Sequence, residues 1–248
     1  VPRTPQKGAQ MTTGTIDRRT APDLADEEDR RFGDLLHSLT AEEWRTPTEL
    51  PGWDVRAIAL HVLGEAESHR ITELVHQLVA GRKAAKGRAL VDGINDVQIA
   101  DRAHLEPDEI LARLDDAAPK FLRFRRRLPW PLRAIRVPNP PFGWLSIGRL
   151  NDVVYTRDRW MHRLDIHRAI GRPFTVDADH DRRVVADVVA EWAQRHDQPY
   201  RLALDGPAGG TFEQGSTGEV HQLDAVEFCR IVSGRAPGTG LLATGVVF

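Results

Sequence analysis

The chain has 248 residues, of which 41% are hydrophobic and 28% are charged. This composition excludes a wholly disordered chain, and the length allows one large domain or two small ones. A net charge of −2 provides no overall field that would attract nucleic acid or an anionic membrane, so we expect neither partner.

Cysteine usage and hydropathy limit the class of protein further. Cys229 is the single cysteine, which excludes an intramolecular disulfide and an all-cysteine zinc site. No segment reaches the roughly 18 uncharged apolar residues that span a bilayer, and the polar N-terminus lacks the apolar core of a signal peptide. We therefore expect a soluble cytoplasmic protein, and the preference for arginine over lysine suggests a GC-rich bacterial genome.

Helical patterns dominate the first two-thirds of the chain. Residues 1–20 are polar and show no apolar period, which predicts a disordered tail. The Pro-rich segment 128–144 predicts neither a helix nor a central strand. Apolar stripes at helical spacing predict helices from Ala21 to about Leu39, from Val55 to Val79, over 91–103, over 107–127 and from Ser146 to Ile170.

The pattern changes after Asp177. One further helix, Asp181 to Arg195, precedes short alternating segments separated by glycine and a short helix around 225–232. This mixture predicts a small α+β domain. We therefore expect a mainly α protein with a tail at 1–20, a helical bundle at 21–176 and an α+β domain at 177–248.

Three side chains form a candidate metal site. His61 lies in the apolar run AIALHVLG, where an unsatisfied imidazole would cost about 1–3 kcal/mol. Asp158 and His162 are four residues apart and therefore share one helical face. The alternative is a buried His61 bonded to a neighbour, with Asp158 and His162 as a surface pair.

A competing ligand set follows a single helix. His61, Glu65 and His69 stand at successive four-residue intervals on the second predicted helix. Because each residue rises about 1.5 Å, three such ligands span roughly 12 Å, which is too far for one zinc ion. This spacing favours the first set over the second.

Several motifs carry a family resemblance. The stretch LTAEEWRTPTELPGWDVRAIALHVLGEAESH resembles the opening of the mycothiol-dependent maleylpyruvate isomerase family, within the DinB-like four-helix metal bundles. The resemblance extends over residues 22–248. Its other features are Asp158, His162 and Asp165, the end motif Gly171-Arg172-Pro173, the GGTF turn and the late Ser233-Gly234-Arg235.

The resemblance implies a function. It implies a DinB-like bundle with one divalent metal, zinc, held by His61, Asp158 and His162, followed by a sterol-carrier-like α+β domain. The founding members have Glu where this chain has Asp158, which shortens the ligand by one methylene. The resemblance also implies that Arg235 reaches the active site, where a guanidinium clamps a substrate carboxylate. The alternative is that Arg235 is a cation at a helix end that neutralises the helix dipole.

A thiol cofactor fits such a site. Zinc with three protein ligands and an open position binds a thiol and lowers its pKa, so the implied nucleophile is a zinc-bound mycothiol thiolate. The implied enzyme is an isomerase or S-transferase acting on a small electrophile. Two other functions stay open at this point, a metal-binding sensor or regulatory module and a carrier of hydrophobic ligands.

Other conspicuous residues have simpler explanations. Cys229 lies among apolar residues on a short helix and is expected to serve packing alone. Trp44 and Trp53 flank the turn before the second helix and are expected to be packing anchors. The arginine-rich run FLRFRRRLPWPLRAIR is expected to be a solvated helix end, where cations are favoured.

Overall fold

The computed structural model describes residues 16–248, so residues 1–15 of the expected tail lie outside the described residues. The helices are α1 (Ala21–His37), α2 (Val55–Glu67), α3 (Ile71–Ala84), α4 (Leu90–Ala100), α5 (Pro107–Arg127), α6 (Trp130–Arg133), α7 (Ile147–Arg149), α8 (Tyr155–Ala169), α9 (His180–His196) and α10 (Ala225–Val232). The strands are β1 (Arg136–Pro138), β2 (Trp144–Ser146), β3 (Tyr200–Asp205), β4 (Gly210–Gln214) and β5 (Glu219–Asp224). The expected fold class, a mainly α bundle followed by a small α+β part, is confirmed.

The chain divides into two compact units between Phe174 and Thr175, whereas the sequence placed the division after residue 176. The helical unit comprises Asp17–Phe174 with Phe248, and the C-terminal unit comprises Thr175–Val247 with Ile16. Ile16 is buried, and its backbone N–H donates to the Asp187 carboxylate at 2.8 Å. The expected tail is therefore wrong for Ile16, which has a packed place in the C-terminal unit.

Four helices of the helical unit, α1, α2, α5 and α8, pack against one another as a bundle. Their apolar faces enclose a core that includes Phe32, Ile58, Ile110 and Phe121. The pair α3 and α4 packs together, and α4 also packs against α2. The bundle therefore places α2 beside α8, the two helices that carry the candidate ligands.

The expected long helix from Val55 to Val79 is wrong. Helix α2 ends at Glu67, where the Ser68 hydroxyl donates to the Glu65 carbonyl at 2.6 Å and Arg70 adopts an extended backbone. Side chains of this kind compete with the helix for backbone groups, and apolar spacing alone does not reveal such a break. Several apolar residues beyond the break leave the core, and Ile71 is 71% exposed.

The Pro-rich segment forms a short helix and a two-stranded hairpin. The expectation of no helix is wrong for α6, whose Pro131 occupies a first-turn position that needs no backbone N–H. Strands β1 and β2 pair antiparallel in a sheet of two strands, so neither is central, as expected. A π-helical turn, Leu150–Val154, then leads into α8.

The C-terminal unit is built around a three-stranded sheet in the order β4-β3-β5, with β4 antiparallel and β5 parallel to β3. Trp192 of α9 is fully buried, and its indole N–H donates to the Leu241 carbonyl at 2.9 Å. Cys229 of α10 is also fully buried. Among residues 16–248, no helix combines the length and apolar character needed to span a membrane.

Close helix contact between α3 and α4 generates the first prediction. A Cβ added at Gly93 would lie 2.0 Å from the Gly81 carbonyl oxygen, whereas one added at Gly33 of α1 would meet no atom within 4 Å. Gly93→Ala should lower the free energy of unfolding by about 1–3 kcal/mol, and Gly33→Ala should raise it by up to about 1 kcal/mol. Urea titration measures both changes, and equal stability of the two variants would contradict the close approach.

Candidate metal centre

Local structure places each of the three expected ligands. The Asp54 carboxylate accepts from the Ala57 N–H at 2.7 Å and starts α2, so that His61 is buried in the bundle. Asp158 and His162 stand on successive turns of α8. Before α8, the Arg125 guanidinium donates a hydrogen bond to the Asn151 carbonyl within the π-helical turn at 2.8 Å. This bond gives a hydrogen-bond donor to a backbone carbonyl in an irregular part of the helix.

The three side chains meet. His61 Nε2 lies 3.4 Å from Asp158 Oδ2, and His162 Nε2 lies 3.3 Å from Asp158 Oδ1. One ligand atom from each of the three residues lies within 4.8 Å of the others. The alternative of a separate surface pair is wrong, because His61, Asp158 and His162 form one cluster.

A chain of hydrogen bonds fixes the orientation of the His61 imidazole. The Gly64 carbonyl only accepts, so the Gln77 amide nitrogen faces it at 2.8 Å. Gln77 Oε1 then accepts from Gln98 Nε2 at 2.9 Å, which turns Gln98 Oε1 toward His61 Nδ1 at 2.7 Å. His61 Nδ1 is therefore the protonated nitrogen of the neutral ring, and Nε2 keeps its lone pair for the cluster.

His162 is oriented in the same way. Its Nδ1 lies 3.0 Å from Oδ2 of Asp165, a fully buried carboxylate one turn further along α8. A carboxylate accepts, so Nδ1 donates to it and Nε2 faces Asp158. Both imidazoles consequently present the same nitrogen, Nε2, to the Asp158 carboxylate.

Burial and neighbouring charges shift the pKa values of the ionisable side chains in the cluster. Burial opposes a charge on His162, but Asp158 and Asp165 beside it raise the pKa of His162 to about 9. Burial likewise opposes ionisation of Asp158, but the neighbouring imidazoles hold its pKa well below the usual range. Burial and the nearby Asp158 raise the pKa of Glu65 to about 7.

Arg159 connects the cluster to α1. Its Nη1 lies 3.6 Å from Glu65 Oε2, and its Nε lies 2.7 Å from Asp29 Oδ1. Glu65 Oε1 is in turn 3.7 Å from His61 Nε2. A buried guanidinium thus lies between two carboxylates and offsets part of their negative charge.

Trp53 packs against the metal cluster. Its ring centroid lies 5.2 Å from that of His61 and 5.9 Å from that of His162. The expected packing role is confirmed, since the indole is packed against the bundle core. The indole also contacts both imidazoles, so Trp53 lies against one side of the cluster.

The cluster has the properties of a cation site. Asp158 Oδ2 is buried and makes no hydrogen bond within the described part of the chain. Two imidazole nitrogens and one carboxylate are a donor set that divalent zinc accepts, and His162 would release its Nε2 proton on binding the ion. The Asp158 side chain is 17% exposed, so the cluster is not sealed from solvent. These residues therefore fit a divalent cation with a coordination position left over.

The family can be tested independently of this geometry. Residues 25–167, more than half of the chain, match the family described as "Mycothiol maleylpyruvate isomerase N-terminal domain". The chain belongs to this family. The matched segment contains all three residues of the cluster. A comparison with curated proteins gives no match.

Solved structures show the shared fold of the mycothiol maleylpyruvate isomerase family. The crystal structure of the mycothiol-dependent maleylpyruvate isomerase is 15% identical, with a TM-score of 0.60, over 92% of this chain and 93% of that chain. A histidine-to-alanine mutant of that enzyme gives 14% identity and a TM-score of 0.57 over the same shares. At these identities the likeness establishes the fold.

Two other candidates from the sequence are His69 and Arg235. The His69 imidazole, from the rejected set, lies 2.9 Å from the Ala66 carbonyl. Arg235 is in the C-terminal unit, where Gly234 adopts a positive φ of 83° to end α10 and the Arg235 N–H donates to the Arg230 carbonyl. The active-site role of Arg235 stays a prediction.

Sequence reasoning missed four side chains around the cluster. Glu65 was considered only as a ligand in the rejected set, and Asp165 was noted only as part of a motif. Gln98 and Arg159 carried no local signal, because their partners are distant in sequence. The role of a buried glutamine or arginine can be assigned only when its hydrogen-bond or ion-pair partner is known.

The hydrogen bond from His61 to Gln98 generates the second prediction. Gln98→Leu keeps the side-chain size but leaves Nδ1 without its acceptor, so metal affinity should fall about 10- to 100-fold. Chelator competition measures the affinity, and unfolding of the metal-free proteins checks that both variants are folded. Gln198→Leu, the same change at an exposed glutamine, is the control and should leave the affinity unchanged. Unchanged affinity in Gln98→Leu would reject the orienting role.

Proposed function

We propose that this protein is a metal-dependent enzyme that uses mycothiol as its thiol cosubstrate and acts on a small electrophile, as an isomerase or an S-transferase. One observation carries the proposal, the convergence of His61 Nε2, His162 Nε2 and an unbonded Asp158 oxygen. Membership in the mycothiol maleylpyruvate isomerase family supports the choice of thiol.

His61, Asp158 and His162 would hold the cation, for which zinc is our choice. When bound with an open position, such a cation acts as a Lewis acid that lowers the pKa of a thiol toward neutrality. The protein's part is to keep the donors oriented: Gln98 holds His61 and Asp165 holds His162. Trp53 packs against both imidazoles.

The nucleophile must come from outside the chain. Cys229 is the single cysteine, and it is fully buried within the C-terminal unit. A fully buried thiol is not accessible to an electrophile in solution. The thiolate that attacks the electrophile is therefore supplied by the cosubstrate, and a conjugated double bond is the electrophile that suits it.

The two reaction outcomes differ in what happens to the thiol. In an isomerase the thiol adds to the double bond, rotation follows about the resulting single bond, and elimination returns the thiol. In an S-transferase the new carbon–sulfur bond remains. Thiol consumption therefore separates the two: none for an isomerase, one equivalent per product for a transferase.

Metal content tests the proposed ligands. His61→Ala and His162→Ala should each release the ion, because a site with three protein ligands loses affinity steeply when one is deleted. His69→Ala removes an imidazole of the same helical region that lies outside the cluster and should keep full metal content. Elemental analysis of the purified variants decides, and full retention in both His61→Ala and His162→Ala would reject the site.

Activity tests the thiol dependence. Turnover of an electrophile panel should require both metal and mycothiol, and should proceed in Cys229→Ser at a rate close to that of the parent. Replacing mycothiol with another thiol or omitting it supplies the comparison. Activity that survives metal removal, or that disappears only in Cys229→Ser, would contradict the proposed mechanism.

The same assay addresses Arg235. A lost charged hydrogen bond of about 1.5–3 kcal/mol corresponds to a roughly 10- to 100-fold decrease in activity. Arg235→Ala should show this decrease with carboxylated electrophiles and keep its metal. An equal decrease for uncharged electrophiles would show that Arg235 does not bind the carboxylate.

A further inference from the structure

Charge is strongly segregated along the chain. Between Asp116 and Asp152 the sequence contains eight basic residues and no acidic one, although the whole chain has a net charge of −2. A positively charged surface can therefore exist on a protein whose net charge is negative, which net charge alone conceals.

The structure exposes this segment together with large apolar side chains. Trp130 is 72% and Trp144 is 68% exposed, and Leu132 and Ile135 are 47% and 49% exposed. We call the following residues the basic aromatic patch: Arg123, Arg127, Trp130, Leu132, Ile135, Arg136 and Trp144. An exposed apolar surface flanked by cations marks an interaction site more often than isolated apolar residues do.

The hairpin aligns part of the patch on one face. Arg136 pairs with Ser146, and Pro138 pairs with Trp144. Because side chains alternate across a strand, Arg136 and Trp144 lie on the same face of the hairpin, and this face is exposed. Val137 and Leu145 lie on the other face, which is half-buried.

Three arginines of the patch have no partner. The side chains of Arg123, Arg127 and Arg136 are exposed and make no ion pair or hydrogen bond among residues 16–248. Neighbouring arginines are engaged: Arg125 donates to the Asn151 carbonyl, and Arg133 pairs with Asp152. Arg127 precedes Trp130 by three residues and Arg136 shares a hairpin face with Trp144, so a cation without a side-chain partner accompanies each exposed tryptophan.

We propose that the basic aromatic patch docks the protein peripherally on an anionic lipid bilayer. Arginines are attracted to acidic headgroups, and tryptophan side chains favour the boundary between headgroups and acyl chains. The exposed Leu132 and Ile135 gain from an apolar acyl layer, which nucleic acid does not offer. A second copy docked through the same patch would oppose arginine with arginine, so the partner carries negative charge.

This inference revises the expectation that the arginine run is only a solvated helix end. It is independent of the proposed enzymatic function, because the patch contains none of the residues of the metal cluster. No spanning helix is needed, since a peripheral protein lies at the interface.

Vesicle binding tests the proposal. The full chain is floated with vesicles of phosphatidylcholine alone and of phosphatidylcholine mixed with phosphatidylglycerol, at low and at high salt. Binding should require phosphatidylglycerol and should weaken at high salt, because ions screen exposed charges. Equal binding to both vesicle types, or binding to neither, would overturn the proposal.

Variants assign the binding to the patch. Each arginine near an anionic surface is worth about a fivefold change in affinity, so Arg123→Gln/Arg127→Gln/Arg136→Gln should weaken binding by about 100-fold. Trp130→Ala/Trp144→Ala should weaken it by about tenfold. The matched control, Arg45→Gln/Arg82→Gln/Lys83→Gln, removes the same number of exposed charges elsewhere and should bind as the parent does.

Two further outcomes would overturn the proposal, one for the role of the patch and one for the lipid as its partner. If the patch variants and the control lose equal affinity, net charge explains the binding and the proposal fails. If the full chain prefers single-stranded RNA to the anionic vesicles and loses it in the patch variants, the patch serves nucleic acid and the lipid proposal is overturned.

Discussion

The candidate site depends on one constraint, the close approach of α2 and α4 at Gly64. A Cβ at this position would lie 2.5 Å from Gln98 Cγ, so the absence of a side chain makes room for Gln98. The carbonyl of the same residue accepts from Gln77 and thereby sets the orientation of both glutamines. Gly64 thus provides the space and the polarity that direct His61 Nε2 toward Asp158.

The surrounding charges show why such a cluster is costly without a cation. Asp158, Glu65 and Asp29 are carboxylates within the bundle, and the buried Arg159 lies between the latter two. Taking several ions out of water costs free energy that their mutual attraction only partly repays. A divalent cation, if bound as proposed, would offset the carboxylates and satisfy the Asp158 oxygen that makes no hydrogen bond within residues 16–248.

Local patterns were sufficient for some of these features but not for others. His61 could be predicted because an imidazole in an apolar run needs a partner, and Asp158 and His162 because a four-residue interval shares a helical face. The break at Ser68 could not, because α2 and α3 carry a continuous apolar period. The consequence was large, since Val75 and Leu78 belong to the apolar stripe of the expected helix and are 52% and 42% exposed. Gln98 was missed because its partner, His61, is 37 residues away.

The central claim is that His61 and His162 both bind a cation through Nε2, because Nδ1 of each is engaged by Gln98 and Asp165. The most direct measurement is a crystal structure of the zinc-loaded protein with anomalous diffraction at the zinc edge. The account predicts a single strong peak per helical unit, bonded to both Nε2 atoms at about 2.0–2.1 Å and to an Asp158 oxygen. Ligation through Nδ1, or a peak remote from these three side chains, would contradict it.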